Sequence, residues 1–170
     1  MKHTAFIGLG SNLAQPVVQI AQAMQAIDHL PGTRVLARSS LYCSAPVGYL
    51  DQPDFVNAVV KVETALTPIA LLQALLALEQ ENGRTREFQN APRTLDLDVL
   101  LYDDLQHHEH GLTVPHAQMH KRAFVLQPLL EIAPSCVIPG VGSAAAALEL
   151  CKDQRLDKLP ASAACKGSSI

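Results

Sequence analysis

Apolar residues recur along this chain with two periods, and the changes from one to the other divide it into elements. Residues 4–9 form a short apolar run that reads as a strand, ended by Gly8-Leu9-Gly10-Ser11-Asn12, which reads as tight turn chemistry. Pro16 stands where a first helical turn tolerates proline, and Val17, Ile20, Ala21, Met24 and Ile27 then repeat at helical spacing as far as Leu30. Pro31-Gly32 stops that helix. Residues 33–42 read as a second strand. Residues 55–64, with Val56, Val59, Val60 and Val62, read as a third, and the segment between them carries Pro46, Gly48 and Pro53 as a loop would. Thr67-Pro68 opens a Leu/Ala-rich helix to about residue 83, with Thr67 as its N-cap. A polar loop over residues 84–92 leads into a fourth strand ending at Tyr102.

The order is β-α-β-β-α-β, the split arrangement in which an antiparallel sheet carries two helices on one face and leaves the other free for a site. After Tyr102, a polar stretch through His110 reads as a hairpin or loop, residues 121–132 as helical in part, and residues 142–152 as a short Ala-rich helix. Residues 161–170 are small and polar enough to fray. Neither an internal repeat nor a linker divides the chain, so residues 1–160 are expected to form a single domain.

Composition narrows the class. At 170 residues, 48% hydrophobic, 17% charged and net −3, the chain is neither a disordered acidic segment nor a binder of duplex nucleic acid, which needs a basic face. Cys43, Cys136, Cys151 and Cys165 lie far apart without a Cys-x-x-Cys pair, and the N-terminus has no apolar signal region, so a reduced, cytoplasmic setting is expected. No apolar run reaches the ~18 residues of a membrane helix. Positive charge is local: Arg84, Arg86, Arg93, Lys121 and Arg122 lie in the middle third and suggest a polyanionic ligand of limited size.

Asp96 and Asp98 share that region. They stand two apart in a strand, so both carboxylates point to one face while Leu95, Leu97, Val99 and Leu101 point to the other. Oxygen ligands with no flanking His or Cys suit Mg²⁺, and a nearby arginine suggests that the metal arrives with a phosphate. A half-exposed strand with solvated aspartates fits the same spacing. His107, His108 and His110 could chelate a metal in principle, but no further ligand is spaced for a closed site, and an exposed polar loop is the simpler reading.

Five motifs carry a resemblance. Phe6-Ile-Gly-Leu-Gly-Ser-Asn-Leu13, Asp51-Gln-Pro-Asp-Phe-Val-Asn57, Gly83-Arg-Thr-Arg86, Pro92-Arg-Thr-Leu-Asp-Leu-Asp98, and Leu112-Thr-Val-Pro-His116 with Arg122-Ala-Phe124 run in order and resemble the 6-hydroxymethyl-7,8-dihydropterin pyrophosphokinase family of the folate pathway. The resemblance implies a ferredoxin-like α+β fold, with a C-terminal hairpin and helix added, and transfer of pyrophosphate from ATP to the pterin hydroxymethyl group, giving AMP. It implies Asp96 and Asp98 as ligands to Mg²⁺, with two ions expected, and Arg84 and Arg93 as catalytic arginines. It places Leu72, Glu79, Arg86, Val99, Thr113, His116 and Arg122 on ATP, with Leu72 and Val99 lining an apolar adenine slot. Phe55 and Phe124 match the family's two pterin-sandwiching aromatics, Asn57 its hydrogen-bonding amide, and Ser44, Ala45, Pro46 and Val47 the loop whose backbone reads the rest of the ring. ATP and the dihydropterin are the expected partners of a monomer that binds neither nucleic acid nor membrane.

The chain departs from the family's usual pattern in places. The loop between Arg86 and Pro92 is one residue shorter, Gln89 or Asn90 stands where a closing tryptophan is expected, with Phe88 as a substitute, and Ala45, Gly111 and Ala117 replace a proline, an arginine and a tyrosine. These bear on lid closure and nucleotide affinity rather than on the reaction class. Two other classes fit the same order of elements: a metal-dependent nucleotidyl transferase, which would release pyrophosphate instead of AMP, and a non-catalytic small-molecule sensor, which would need neither aspartate.

Overall fold

The computed structural model describes residues 2–12, 15–44, 54–81, 95–109 and 111–160. The first part of the chain forms β1 (His3–Ser11), α1 (Pro16–Asp28), β2 (Thr33–Arg38), β3 (Tyr42–Ser44), β4 (Phe55–Thr64), α2 (Pro68–Glu79) and β5 (Leu95–Tyr102). Pro16 opens α1, where its missing N–H breaks no helical bond. Thr67 caps α2: its hydroxyl oxygen accepts from the Ala70 N–H at 3.2 Å. β1 lies between β4 and β5, and β4 takes β2 and then β3 along its other side, all antiparallel.

The second part adds the hairpin β6 (His107–Glu109) and β7 (Leu112–Val114), a 3-10 turn over Met119–Lys121, α3 (Ala123–Ile132), the short pair β8 (Val137–Ile138) and β9 (Gly142–Ser143), α4 (Ala144–Glu149) and β10 (Leu156–Lys158). β10 pairs with β3 and completes a six-stranded sheet among the described residues. Three residues of mixed polarity carry no periodic signal, so β10 is found only by its hydrogen bonds.

Three expectations change. The strand expected over residues 33–42 divides at Ser39 and Ser40, where side chains replace backbone partners, although the Ser39 N–H still donates to the Val59 carbonyl of β4 at 2.9 Å. The Ser39 hydroxyl oxygen accepts from the Val59 N–H at 2.9 Å, and the Ser40 N–H donates to the Glu131 carboxylate at 2.9 Å. The Gly8 to Ser11 segment, expected as a turn, is strand throughout. Gly8 and Gly10 are absent from the glycines with positive φ, so steric room, not backbone conformation, is their reason. Finally, the pairing of β5 with β1 skips Leu100, and the alternation of faces slips by one there. Leu101 therefore packs with Leu100 and not with Val99.

Two apolar layers result. Ala5, Ile7 and Leu9 of β1, alternate residues of β4, and Leu95, Leu97 and Val99 of β5 pack with Ile20, Ile27, Leu71 and Leu75 of α1 and α2. On the opposite face Val59, Leu100 and Leu101 pack with Leu126 and Leu129 of α3 and with Ala144 and Ala147 of α4. That second face is thus covered over part of its length, and the face expected to be free is only partly so. Cys136 and Cys151 are free thiols, whereas Cys43 is disulfide-bonded, so the expectation of reduced cysteines holds for the first two only. Among the described residues no helix is long and apolar enough to cross a membrane.

Candidate active site

The end of the second face beyond α3 and α4 is built around glycines, Gly8 half-buried and Gly10 buried. In register, Gly10 stands between Asn57 on β4 and Asp96 on β5, and Gly8 between Val59 and Asp98. Strands lie ~4.8 Å apart, so Asn57 and Asp96 stand roughly 10 Å apart with only backbone between them at Gly10. A Cβ on Gly10 would come within 3.3 Å of Asn57 Oδ1 and 3.9 Å of the Phe55 ring; one on Gly8 would meet the Leu100 side chain at 3.3 Å. The result is a trough with a backbone floor, an amide and an aromatic ring on one wall and two carboxylates on the other.

Asn57 is 4% exposed and held in one orientation. Its Nδ2 donates to the Ser44 hydroxyl at 2.7 Å and reaches the Tyr42 carbonyl at 3.5 Å, which turns Oδ1 toward Gly10. Tyr42 is anchored in turn, its phenol donating to Glu131 Oε1 at 2.8 Å. Burial, then the Glu131 carboxylate, pushes the Tyr42 phenol above its ordinary range. Burial acts to raise Glu131, but hydrogen bonds from Ser40 and Tyr42 outweigh it and hold that carboxyl below the usual value. Tyr42 and Glu131 thus support the wall, a role that no motif announced.

On the other wall Asp96 is half-buried and Asp98 exposed. His116 lies close enough to Asp98 and Arg122 to respond to both. Burial lowers its pKa, the Asp98 charge opposes that, and the Arg122 guanidinium adds to it, leaving the ring below its ordinary value. Its Nδ1 accepts from the Gln118 N–H at 3.2 Å, so the neutral ring carries its proton on Nε2, as a donor. The Arg122 guanidinium lies over the Phe124 ring, 5.6 Å from its centroid. Asp98 and Arg122 are thus both near enough to act on His116, and Arg122 also reaches Phe124.

Do the two aspartates suit a metal? Among the described residues no group of three or more His, Cys, Asp or Glu side chains is placed to hold an ion. The pair offers hard oxygen donors on an accessible face and leaves the other positions to water and phosphate, which is how Mg²⁺ is ordinarily bound in phosphoryl-transfer sites. The residues fit Mg²⁺ and do not fit a closed, all-protein centre. His107 and His108 sit in the β6–β7 hairpin, and no such cluster forms there among the described residues.

Beside the trough runs the outer edge of β5. Glu79, 3% exposed, accepts the Leu97 N–H at 2.7 Å, and the His116 N–H donates to the Leu100 carbonyl at 3.0 Å. Asp98 and Val99 lie between these two anchors. The Val99 side chain is 4% exposed and packs in the α1/α2 layer, so it does not line a slot beside the aspartates; what it offers at the edge is backbone. Leu72 is partly buried against the same layer, and Thr113 lies on β7 opposite His108. Arg84, Arg86, Arg93, Ala45, Pro46 and Val47 lie outside the described residues.

Two glycines at the same spacing as the two aspartates were the available sign of the trough, since i and i+2 in a strand share a face. Residues 6–134 match the model of the 7,8-dihydro-6-hydroxymethylpterin-pyrophosphokinase family. The chain belongs to that family. It is 50% identical over 136 residues to the 2-amino-4-hydroxy-6-hydroxymethyldihydropteridine pyrophosphokinase of Haemophilus influenzae, covering 80% of this chain and 85% of that protein. With the pyrophosphokinase of the same name from Pseudomonas aeruginosa it shares 44% over 160 residues, covering 94% of this chain and 99% of that one. The pyrophosphokinase fold is seen again in the Plasmodium falciparum HPPK-DHPS crystallised with pteroate, at a TM-score of 0.70 and 12% identity over 88% of this chain. This chain spans 42% of that longer one, and the likeness carries the fold alone.

Proposed function

We infer that this chain transfers a pyrophosphoryl group from ATP to the hydroxymethyl oxygen of 6-hydroxymethyl-7,8-dihydropterin, giving AMP and the pterin diphosphate, a step of folate biosynthesis. Membership of the pyrophosphokinase family supports the reaction, and one observation supports its location: the glycine-floored trough that sets Asn57 and Phe55 across from Asp96 and Asp98. Such a slot has the width of a flat heterocycle, with a fixed amide to read its edge and carboxylates where its substituent would meet phosphate.

In this reading the attacking hydroxyl and the β-phosphorus of ATP meet above Asp96 and Asp98. Catalysis of such a transfer is mainly positioning and charge neutralisation. Asp96 and Asp98 hold Mg²⁺, two ions in the fullest version. Bound there, the metal would neutralise phosphate oxygens and lower the pKa of the hydroxyl, so no strong protein base is called for. His116, neutral with its proton on Nε2, donates to a phosphate oxygen, and Arg122 adds a fixed positive charge beside it. Arg84 and Arg93 supply further guanidinium forks to the transferring group and Arg86 to the nucleotide. Adenine lies along the β5 edge, where backbone at Val99, the Leu72 side chain and Thr113 bound it and Glu79 holds the strand. Asn57 and Ser44, with the backbone of Ala45, Pro46 and Val47, read the pterin edge, and Phe55 and Phe124 cover its faces. The site belongs to one chain acting as a monomer in the cytoplasm.

The test is product analysis with ATP, Mg²⁺ and the dihydropterin. AMP is expected only when all three are present, and Asp96→Asn or Asp98→Asn is expected to lower its formation at least about 100-fold. Release of pyrophosphate instead of AMP would replace this reading with nucleotidyl transfer. Undiminished pterin binding with no turnover would point to a sensor.

A further inference from the structure

We propose that Arg155 is a positioning residue for the pterin, acting through Asp54 and through the strand it introduces. This rests on the assignment of Ser44, Phe55 and Asn57 to the pterin side of the site. Arg155 itself directly precedes β10, the strand that pairs with β3 on the side away from β4. Its Nη2 donates to Asp54 Oδ2 at 2.7 Å, with the Asp54 side chain 18% exposed and the Arg155 side chain 59%. Asp54 immediately precedes Phe55, the first residue of β4.

The next residue, Leu156, begins β10 and pairs with Ser44, the last residue of β3; Asp157 and Lys158 pair with Cys43 and Tyr42. The Leu159 N–H donates to the Leu41 carbonyl at 2.8 Å and carries the pairing one step further. Ser44 in turn faces Phe55 across the ladder and holds the Asn57 amide at 2.7 Å. One short segment, residues 155–159, therefore grips the end of β3 by its backbone and the start of β4 by a side chain.

Those are the two strand ends whose relative position sets the Ser44 to Asn57 hydrogen bond. Without Arg155, a mostly buried Asp54 carboxylate loses its guanidinium, and the start of β4 loses its side-chain tie to residues 155–159. Asp96 and Asp98 stand on β5, on the far side of β1 from β3 and β4. The structure thus separates the two substrates: slack introduced at residue 155 reaches the pterin wall and not the phosphate wall.

The experiment is calorimetry on the full chain, with dihydropterin titrated in the presence of Mg²⁺ and a non-hydrolysable ATP analogue, and with the analogue titrated separately. Arg155→Ala is expected to weaken pterin binding about threefold, within the range of a partly exposed ion pair, and to leave the analogue's affinity unchanged. Asp54→Asn, which keeps the side chain's shape, is expected to give the same split. The exchanged pair Arg155→Asp with Asp54→Arg recovers part of the loss. Raising the salt concentration is expected to weaken pterin binding by the wild type toward the Arg155→Ala level while moving that variant little. Wild-type pterin affinity in both single variants, or an equal loss for both ligands, overturns the proposal. Asn57→Ala is the control for the assignment beneath it: wild-type affinity there overturns the pterin pocket itself, whereas a loss there with none at Arg155→Ala overturns the positioning role alone.

Discussion

Gly10 shapes the trough by the atoms it lacks. With a Cβ, position 10 would press on Asn57 Oδ1 at 3.3 Å, and Asn57 has little room to yield because Ser44 and Tyr42 hold its other end. Gly10→Ala is expected to weaken dihydropterin binding about tenfold, the size of a modest overpacking cost, with ATP binding nearly unchanged; paired titrations would show it. His116 argues in the same way from its second nitrogen. Because Nδ1 accepts the Gln118 N–H, the role assigned to the ring needs a donor at Nε2, and His116→Gln, which can still donate, should retain more activity than His116→Ala.

Among the elements, the β3–α3 contact carries a pH dependence that can be worked out in sign. The Glu131 carboxyl is held below the ordinary carboxylate value in the folded chain, so its contribution is complete above that ordinary value and is lost as pH falls through the lowered one. The Tyr42 phenol is pushed above its ordinary value, so its contribution is complete below that ordinary value and is lost as pH rises through the raised one. Glu131→Gln is expected to cost about 1–2 kcal/mol at neutral pH and to flatten both limbs of the stability profile, measured by denaturant unfolding from pH 3 to 11. At the start of α2, Thr67→Ala should cost about 1 kcal/mol, the usual loss of a side-chain N-cap.

Elements of this kind also show where the sequence could be read. β4 and the starts of α1 and α2 follow from period, proline and cap, signals that lie within a few residues. The division at Ser39 and Ser40 does not, because it depends on Val59 and on Glu131, the latter 91 residues from Ser40. β10 was hidden for the same reason, and so was the support that Tyr42 and Glu131 give to Asn57. The shared face of Asp96 and Asp98 is legible from strand alternation, whereas Asn57 and Phe55 are picked out by the family motif and only then set on β4. Gly8 and Gly10 read as turn residues with a place beside the pterin left open, because glycine serves both turns and close approaches, and only the neighbouring strands decide between them.

For the whole molecule, the proposed site predicts that the two substrates are coupled. Asp96 and Asp98 lie between the β5 edge, assigned to ATP, and the trough, assigned to the pterin, so each substrate completes the other's surroundings. Pterin is therefore expected to bind more tightly when Mg²⁺ and a non-hydrolysable ATP analogue are present, and linkage requires that the pterin tighten the analogue by the same factor. Equal pterin affinity with and without the analogue in calorimetry would rule this coupling out. The second apolar layer bears on this: α3 and α4 cover one end of the sheet's second face, and the proposed site takes the end that carries Gly10.

A floor made of backbone also limits how the protein can escape a competitor. An inhibitor resting on β1 at Gly8 and Gly10 would touch main-chain atoms, which no substitution removes. Resistance would have to come from adding bulk at those positions. Bulk at Gly10 falls on Asn57 and Phe55, so a change that evicts the inhibitor would also evict the natural heterocycle.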